Sequence, residues 1–195
     1  MSGTPDPDLL LVADHAEIRR QVARVAAEIE ADHPRGLTVV SVLKGSVMFL
    51  ADVVRELDVP VHVEFIGIAP FDGNEKRARL VKDVERSVTD AEVVVVTGTF
   101  DTGLTADFIT RHLAAGSPRS IKVATLADKP ARRLLPASPD YAAFEAPDRF
   151  LLGYGLDYAG RYRNLVDLWA VDGTALVDDP DRHVPALYGA SQQPA

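Results

Sequence analysis

Between an apolar run and a helical pattern, the stretch "TGTFDTGLT" (97–105) gathers one carboxylate, several hydroxyls and a glycine. Asp101 supplies the charge, and Thr102 and Thr105 supply hydroxyl donors. Gly103 lets the backbone approach a ligand, and the free N–H groups of a helix opening at Leu104 complete an anion cradle. Taken alone, the same residues also read as an ordinary strand-to-helix turn with threonine capping. A second helix entrance, "VLKGS" (42–46), sets the cation Lys44 beside Gly45. That pair suits a second phosphate or a pyrophosphate; a surface lysine at a helix start is the plainer account. Two further stretches, "LADKP" (126–130) and "PDRFLLGYGLDYAGRYRNL" (147–165), are the other chemistry-bearing segments, the latter dense in aromatics, glycines and paired charges. In them Phe150 offers a face for stacking a planar base, Asp157 a carboxylate for a cation, and Arg163 a fork for phosphate.

These groups need a scaffold. Ile18, Val22, Val25 and Ile29 recur at helical spacing after Asp14, and "HPRG" (33–36) stops that helix. "LTVVSVL" (37–43) is a buried strand, and Lys44-Gly45-Ser46 opens a helix reaching about Leu57. "VPVHVEFIGIA" (59–69) alternates as a strand, followed by a polar loop (70–79) and a short strand or turn within 80–88. "AEVVVVTG" (91–98) is a strand leading into a helix from Leu104 to Ala115 that ends at Gly116. Strands follow over 120–128 and 141–147, with a last apolar run over 165–171. Strands alternating with helices imply right-handed crossovers and a mostly parallel sheet covered on both faces, an α/β fold that binds ligands beyond the carboxyl ends of its strands. After Asp172 the composition turns to Asp, Pro, Gly and Gln, predicting a mobile or partner-docked tail.

A chain of 195 residues, 47% of them hydrophobic, supports one substantial core. The absence of cysteine excludes a disulfide framework, a thiolate metal site and a cysteine nucleophile, and favours a cytoplasmic location. A net charge of −8 argues against nucleic acid or an anionic membrane as partner, and no apolar run approaches a membrane span. The five histidines, at 15, 33, 62, 112 and 183, show no metal-ligand spacing and read as structural or surface groups. Arg132-Arg133 reads as a solvated face or a partner contact, and Trp169 and Tyr162 as packing.

Over roughly residues 8–172 the chain resembles the hypoxanthine-guanine phosphoribosyltransferases: "VLKGSVMFLADVVREL", "DTGLT", "KVATLADKP" and "FEAPDRFLLGYGLDYAGRYRNL" stand in that family's order and near its spacing. The resemblance implies a type I phosphoribosyltransferase fold, with a parallel sheet flanked by helices and a small base-binding hood built from the chain ends. The domain is then expected over 8–172, with residues 1–7 a flexible N-terminus and 173–195 a tail, mobile or docked on a partner. The implied reaction exchanges the pyrophosphate of phosphoribosyl pyrophosphate for a purine at N9, giving a nucleoside monophosphate, with Mg²⁺ as cofactor and a homodimer or homotetramer as the assembly. Residue by residue, Asp101, Thr102, Gly103, Leu104 and Thr105 would cradle the 5′-phosphate, with Asp101 also meeting N7 of the purine. Lys129 would contact O6, Phe150 would stack on the ring, and backbone near Leu151 and Asp157 would read its edge. Lys44, Gly45 and Arg163 would bind pyrophosphate, and Asp157 would hold the Mg²⁺. The Leu43–Lys44 peptide would be cis.

Two departures stand out against that family pattern. Where the family has adjacent carboxylates for the ribose 2′- and 3′-hydroxyls, this chain has Thr97 and Gly98. Each lost charged hydrogen bond is worth about 1.5–3 kcal/mol, so losing both weakens recognition of the diol by roughly two to four powers of ten. The family's lid carries a Ser-Tyr pair where this chain has Pro70-Phe71, with Lys76, Arg77 and Arg79 as cations that reach pyrophosphate or simply line a solvated loop. Three functions are therefore weighed: a purine phosphoribosyltransferase, a same-scaffold enzyme with an altered sugar donor or acceptor, and a non-catalytic purine-nucleotide-binding protein.

Overall fold

The computed structural model describes residues 8–69 and 79–188. Chain order gives strand β1 (Leu10–Ala13), helix α1 (His15–Asp32), β2 (Leu37–Leu43), α2 (Val47–Glu56), β3 (Val61–Ile68), β4 (Leu80–Lys82), β5 (Glu92–Phe100), α3 (Leu104–Ala114) and β6 (Ser120–Asp128). A 3₁₀ turn (Pro130–Arg132) leads to β7 (Tyr141–Glu145), β8 (Phe150–Leu152), β9 (Leu168–Val171), α4 (Gly173–Asp178) and α5 (Val184–Tyr188).

Val93 to Val96, a run of β-branched residues with none of their surface exposed, explains why β5 lies mid-sheet. The main sheet runs β4-β3-β2-β5-β6-β7, all parallel except β4, which pairs antiparallel with β3. Its two faces are covered separately. Ile18, Val22, Val25 and Ile29 of α1 and Phe49, Leu50 and Val53 of α2 share a core with Val94 and Val96. Ile109 and Leu113 of α3 pack with Val93 and Val95 on the other side. Helix α1 begins where Asp14 accepts a hydrogen bond from the Glu17 N–H, an N-cap worth about 1 kcal/mol.

Sheet direction places the carboxyl ends of β2, β5 and β6 on one edge, where the loops at 44–46, 101–103 and 129–135 emerge. Above this edge stands the hood, an antiparallel sheet in the order β1-β9-β8. It joins the two ends of the chain: Leu11 pairs with Trp169, and Leu151 with Ala170.

The segment after Asp172 is not a tail as far as residue 188. Helix α4, capped by the Asp172 carboxylate on the Thr174 N–H, buries Leu176 completely, and Leu176, Val184, Leu187 and Tyr188 close a core around Leu152, Tyr162 and Val171. The hydroxyl of Tyr162 donates to the Pro180 carbonyl at 2.7 Å, and that of Tyr188 to Asn164 Oδ1 at 2.7 Å. Leu152, Tyr162 and Val171 would otherwise leave their apolar surface in water, which drives this docking. The lid positions 70–78, including Pro70, Phe71, Lys76 and Arg77, lie outside the described residues.

Candidate active site

A cleft of about 220 Å³ opens at the carboxyl edge, between the β2–α2 loop and the β5–α3 loop. Gly45, Thr97, Gly98, Asp101, Thr102, Gly103 and Thr105 line it together with Thr99 and Leu156, so much of the predicted set converges there. Leu104 points away and is half exposed.

The β5–α3 loop is shaped by Gly103, whose φ of 88° lies in the left-handed region. The N-cap residue Gly103 has no side chain to cap α3, so the amides at the head of the helix beyond Leu104 remain directed at whatever enters the cleft. The Thr102 hydroxyl accepts from the Leu104 N–H at 3.3 Å. Asp101 follows the end of β5 directly. Its Oδ1 is buried and accepts no hydrogen bond; Arg132 Nε faces it at 3.4 Å as an ion pair without hydrogen-bond alignment. Burying a carboxylate oxygen unsatisfied is costly, so this atom suits a donor brought by a ligand.

Lys129, at the end of β6, is 4% exposed, and its Nζ donates to the Arg149 carbonyl at 2.8 Å. Burial holds its pKa below the usual lysine value, a shift that the Asp101 charge partly offsets. Phe150 and Leu151 belong to β8, an outer strand of the hood sheet among the described residues, so one row of β8 backbone groups is not engaged by a neighbouring strand. Phe150 meets Tyr158 edge-to-face at 5.5 Å between centroids and lines an adjoining hollow with Arg132, Asp148 and Gly173.

The predicted pyrophosphate and metal groups turn toward each other. Arg163 pairs with Asp157 at 2.5 Å and also donates to the Gly155 carbonyl, while Asp157 accepts from the Gly160 N–H at 2.9 Å. Lys44 is exposed, and the peptide joining it to Leu43 is cis, as the resemblance implies.

The substituted ribose region is tightly built. A Cβ on Gly98 would lie 2.8 Å from the Gly45 carbonyl oxygen and 2.7 Å from Leu156 Cδ2, and a Cβ on Gly155 would meet the same Gly45 oxygen at 2.8 Å. The β2–α2 loop thus nests between β5 and the hood where only glycine fits. Thr97 is buried, with its hydroxyl 3.5 Å from the Ala124 carbonyl, whereas Thr99 is exposed in the cleft. Thr99 was missed by sequence reasoning: Thr97, two residues before it on the same strand, is buried, so alternation did not single it out. Asp83 and Glu85 do not replace the missing carboxylates: they engage His112 and Lys82.

Of the pair Arg132-Arg133, Arg132 is exposed, as the solvated-face reading has it, and Arg133 is not. Arg132 bridges Asp101 and Asp148, and Arg133 is largely buried, donating from Nη1 to the carbonyls of Asp101 at 2.6 Å and Phe100 at 3.2 Å. Residue type alone carried no sign of the Arg133 contacts with the loop, because their acceptors are the main-chain oxygens of Phe100 and Asp101. His33 is likewise internal, its Nδ1 2.7 Å from Glu92 Oε2, and His183 is fully buried.

Comparison with known proteins agrees with this architecture. The phosphoribosyl transferase domain model matches residues 11–159. The hypoxanthine-guanine phosphoribosyltransferase of Aquifex aeolicus is 36% identical over 169 residues, covering 84% of this chain and 95% of its own; that of Bacillus subtilis is 32% identical, with 82% and 91% covered. Among solved structures, a hypoxanthine-guanine phosphoribosyltransferase of Bacillus anthracis superposes with a TM-score of 0.80 at 33% identity, covering 83% of this chain and 98% of its own. A hypoxanthine phosphoribosyltransferase of Trypanosoma cruzi reaches 0.81 at 31% identity, covering 90% and 98%. The parallel sheet with its two-ended hood is the type I phosphoribosyltransferase fold, and by sequence and structure together the chain belongs to the hypoxanthine-guanine phosphoribosyltransferase family.

Proposed function

We propose that this protein transfers the phosphoribosyl group of phosphoribosyl pyrophosphate to N9 of a 6-oxopurine or a related analogue, forming a nucleoside 5′-monophosphate and releasing pyrophosphate. The observation that carries this reading is the buried Asp101 Oδ1, which accepts no hydrogen bond from a described residue, beside a helix head whose N-cap is a glycine. One supplies an acceptor for a purine N–H and the other a seat for a 5′-phosphate, and they share a cleft.

On this reading the 5′-phosphate is held by the 101–105 loop, and Asp101 accepts the N7 proton as bonding at N9 draws charge from the ring. Lys129 donates to O6, which selects oxopurines over adenine, while Phe150 stacks on the ring and β8 backbone beside Leu151 reads its edge. Lys44, Gly45 and Arg163 receive the departing pyrophosphate. Mg²⁺ binds through one or two carboxylates and fills its other positions from phosphate and water, and Asp157 fits that donor set; no cluster of three or more His, Asp or Glu suited to a metal occurs among the described residues. Held there, the ion would neutralise charge growing on the leaving pyrophosphate. The partners are small molecules. A charge of −8 disfavours nucleic acid, and no described helix is long and apolar enough to cross a membrane. The assembly is a homodimer or homotetramer working in the cytoplasm.

A second reading, an altered sugar donor or acceptor on the same scaffold, is favoured by the junction at Gly98, which leaves no room for the family's carboxylate. One experiment tests both. Purified protein is incubated with Mg²⁺, phosphoribosyl pyrophosphate and a panel of 6-oxopurines, and products are followed by mass spectrometry. Nucleotide formation supports the first reading. Purine nucleotide binding by calorimetry without turnover of this donor shifts support to the second or to a non-catalytic binder.

A further inference from the structure

We propose that Arg133 is a positioning residue of the active site, holding the 5′-phosphate loop and Asp101 in register with the base-binding segment. The inference rests on the catalytic reading of Asp101, but the contacts behind it stand independently.

One guanidinium joins three elements. From the segment after β6, Arg133 Nη1 reaches the carbonyls of Phe100 (3.2 Å) and Asp101 (2.6 Å), where β5 becomes the loop, and Nη2 pairs with the Asp128 carboxylate at the end of β6. The guanidinium carbon lies 4.2 Å from the centroid of the Phe100 ring, and the side chain is 13% exposed. Its aliphatic stem lies against the loop's turn, because a Cβ at Gly103 would be 3.7 Å from Arg133 Cδ. Main-chain bonds drape the same segment over the loop: the Lys129 N–H donates to Phe100 O at 2.9 Å, and the Leu134 and Leu135 N–H groups to Thr102 O at 3.0 and 3.2 Å.

The consequence is geometric. On the proposed reading Lys129 meets O6 of the base, Arg133 lies four residues on, and between them they would fix the distance from that contact to the phosphate cradle. Only a planar fork satisfies carbonyls and a carboxylate at once while stacking on a ring; a lysine keeps the charge but cannot span them. Misplacing a reacting group by about 1 Å costs up to roughly 10²-fold in rate.

The test compares Arg133→Lys with Arg133→Met/Asp128→Asn, the latter avoiding a stranded, mostly buried carboxylate. Both are measured for kcat, KM of each substrate, Tm, and the Kd of inosine 5′-monophosphate by calorimetry. The expected result is a fall in kcat of about 10- to 100-fold in both variants, KM for the base within threefold, and nucleotide binding weakened about tenfold. Lysine should fail to rescue. Retention of kcat and nucleotide affinity within threefold in Arg133→Lys overturns the proposal, as does a loss that matches only the fraction unfolded at the assay temperature. Asp101→Asn run in parallel separates the two claims: if it retains full kcat, the proton-accepting role of Asp101 fails. Nucleotide affinity then decides the role of Arg133, and unchanged affinity in both Arg133 variants overturns it.

Discussion

Replacing Gly98 by alanine tests whether the departure at 97–98 is a built feature or a simple loss. The added Cβ would stand 2.8 Å from the Gly45 carbonyl oxygen, 3.0 Å from the Gly45 carbonyl carbon and 2.7 Å from Leu156 Cδ2. Leu156 is 8% exposed and has little space to retreat, and the Gly45 oxygen is so hemmed in that a Cβ on Gly155 would also meet it, at 2.8 Å. Overpacking of this kind costs about 1–3 kcal/mol. For a chain of this size that is a fall in Tm of roughly 2–12 °C. Gly98→Asp adds a carboxylate beside a carbonyl oxygen and should be worse, displacing the Lys44-Gly45 loop and raising KM for phosphoribosyl pyrophosphate. Gly173→Ala is the control, since its Cβ would meet Phe150 Cβ at an ordinary 3.4 Å. Thermal unfolding and donor KM are the assays, and a Gly98/Leu156 double-mutant cycle isolates their contact. A Gly98→Ala protein melting within about 1 °C of the parent, or a Gly98→Asp protein faster with the ordinary donor, refutes the close-packed junction.

Three further outcomes are expected. Lys129 has its pKa lowered from 10.5 by burial, so between its folded and unfolded values the unfolded chain holds more protons and this group's contribution to stability rises with pH. Its charge is lost over the same window, so KM for the base should climb on the alkaline side below pH 10.5, and Lys129→Met should flatten that limb of the KM–pH profile. Leu176→Ala empties a fully buried site between α4 and the hood and should cost about 2–5 kcal/mol in urea denaturation, where a flexible tail would cost nothing. Asp101→Asn should lower kcat about 10²- to 10⁴-fold in the transferase assay, with Tm little changed.

The parts of this fold readable in the sequence are those whose cause is local. A four-residue apolar stripe marks α1, and Ile18, Val22, Val25 and Ile29 are all buried. The valine run marks β5, although the strand continues two residues past Gly98 to Phe100, beyond the point where polar Thr97 and Thr99 interrupt the pattern. Strands β1 and β8 were invisible because they have four and three residues and are defined by pairing with β9, which for β1 is more than 150 positions away. Helices α4 and α5 failed for a related reason: their composition resembles a tail, and single anchors such as Leu176 gain meaning only from a hood core built by other segments. At the site, Asp101, Gly103 and Thr105 were recognisable through residue type and position. Thr99 and Arg133 were not, because one follows a buried Thr97 on the same strand and the other depends on main-chain acceptors.

The same distinction bears on what became of the ribose carboxylates. Read as residues, Thr97-Gly98 is a deletion of charge, and a deletion predicts slack. The structure has the opposite character: three separate segments meet at the Gly45 carbonyl with no room for a methyl group on Gly98 or Gly155, and Thr97 is buried. Any side chain at Gly98 would force the loop outward. The neighbouring Asp101 meanwhile keeps a buried Oδ1 that faces Arg132 Nε at 3.4 Å and accepts no hydrogen bond from a described residue. On the proposed reading, a neutral surface packed this tightly beside Asp101 and the 101–105 loop is a remodelled binding surface rather than a vestige. The sugar hydroxyls are accordingly expected to be read by Thr99 and main-chain groups rather than by paired carboxylates.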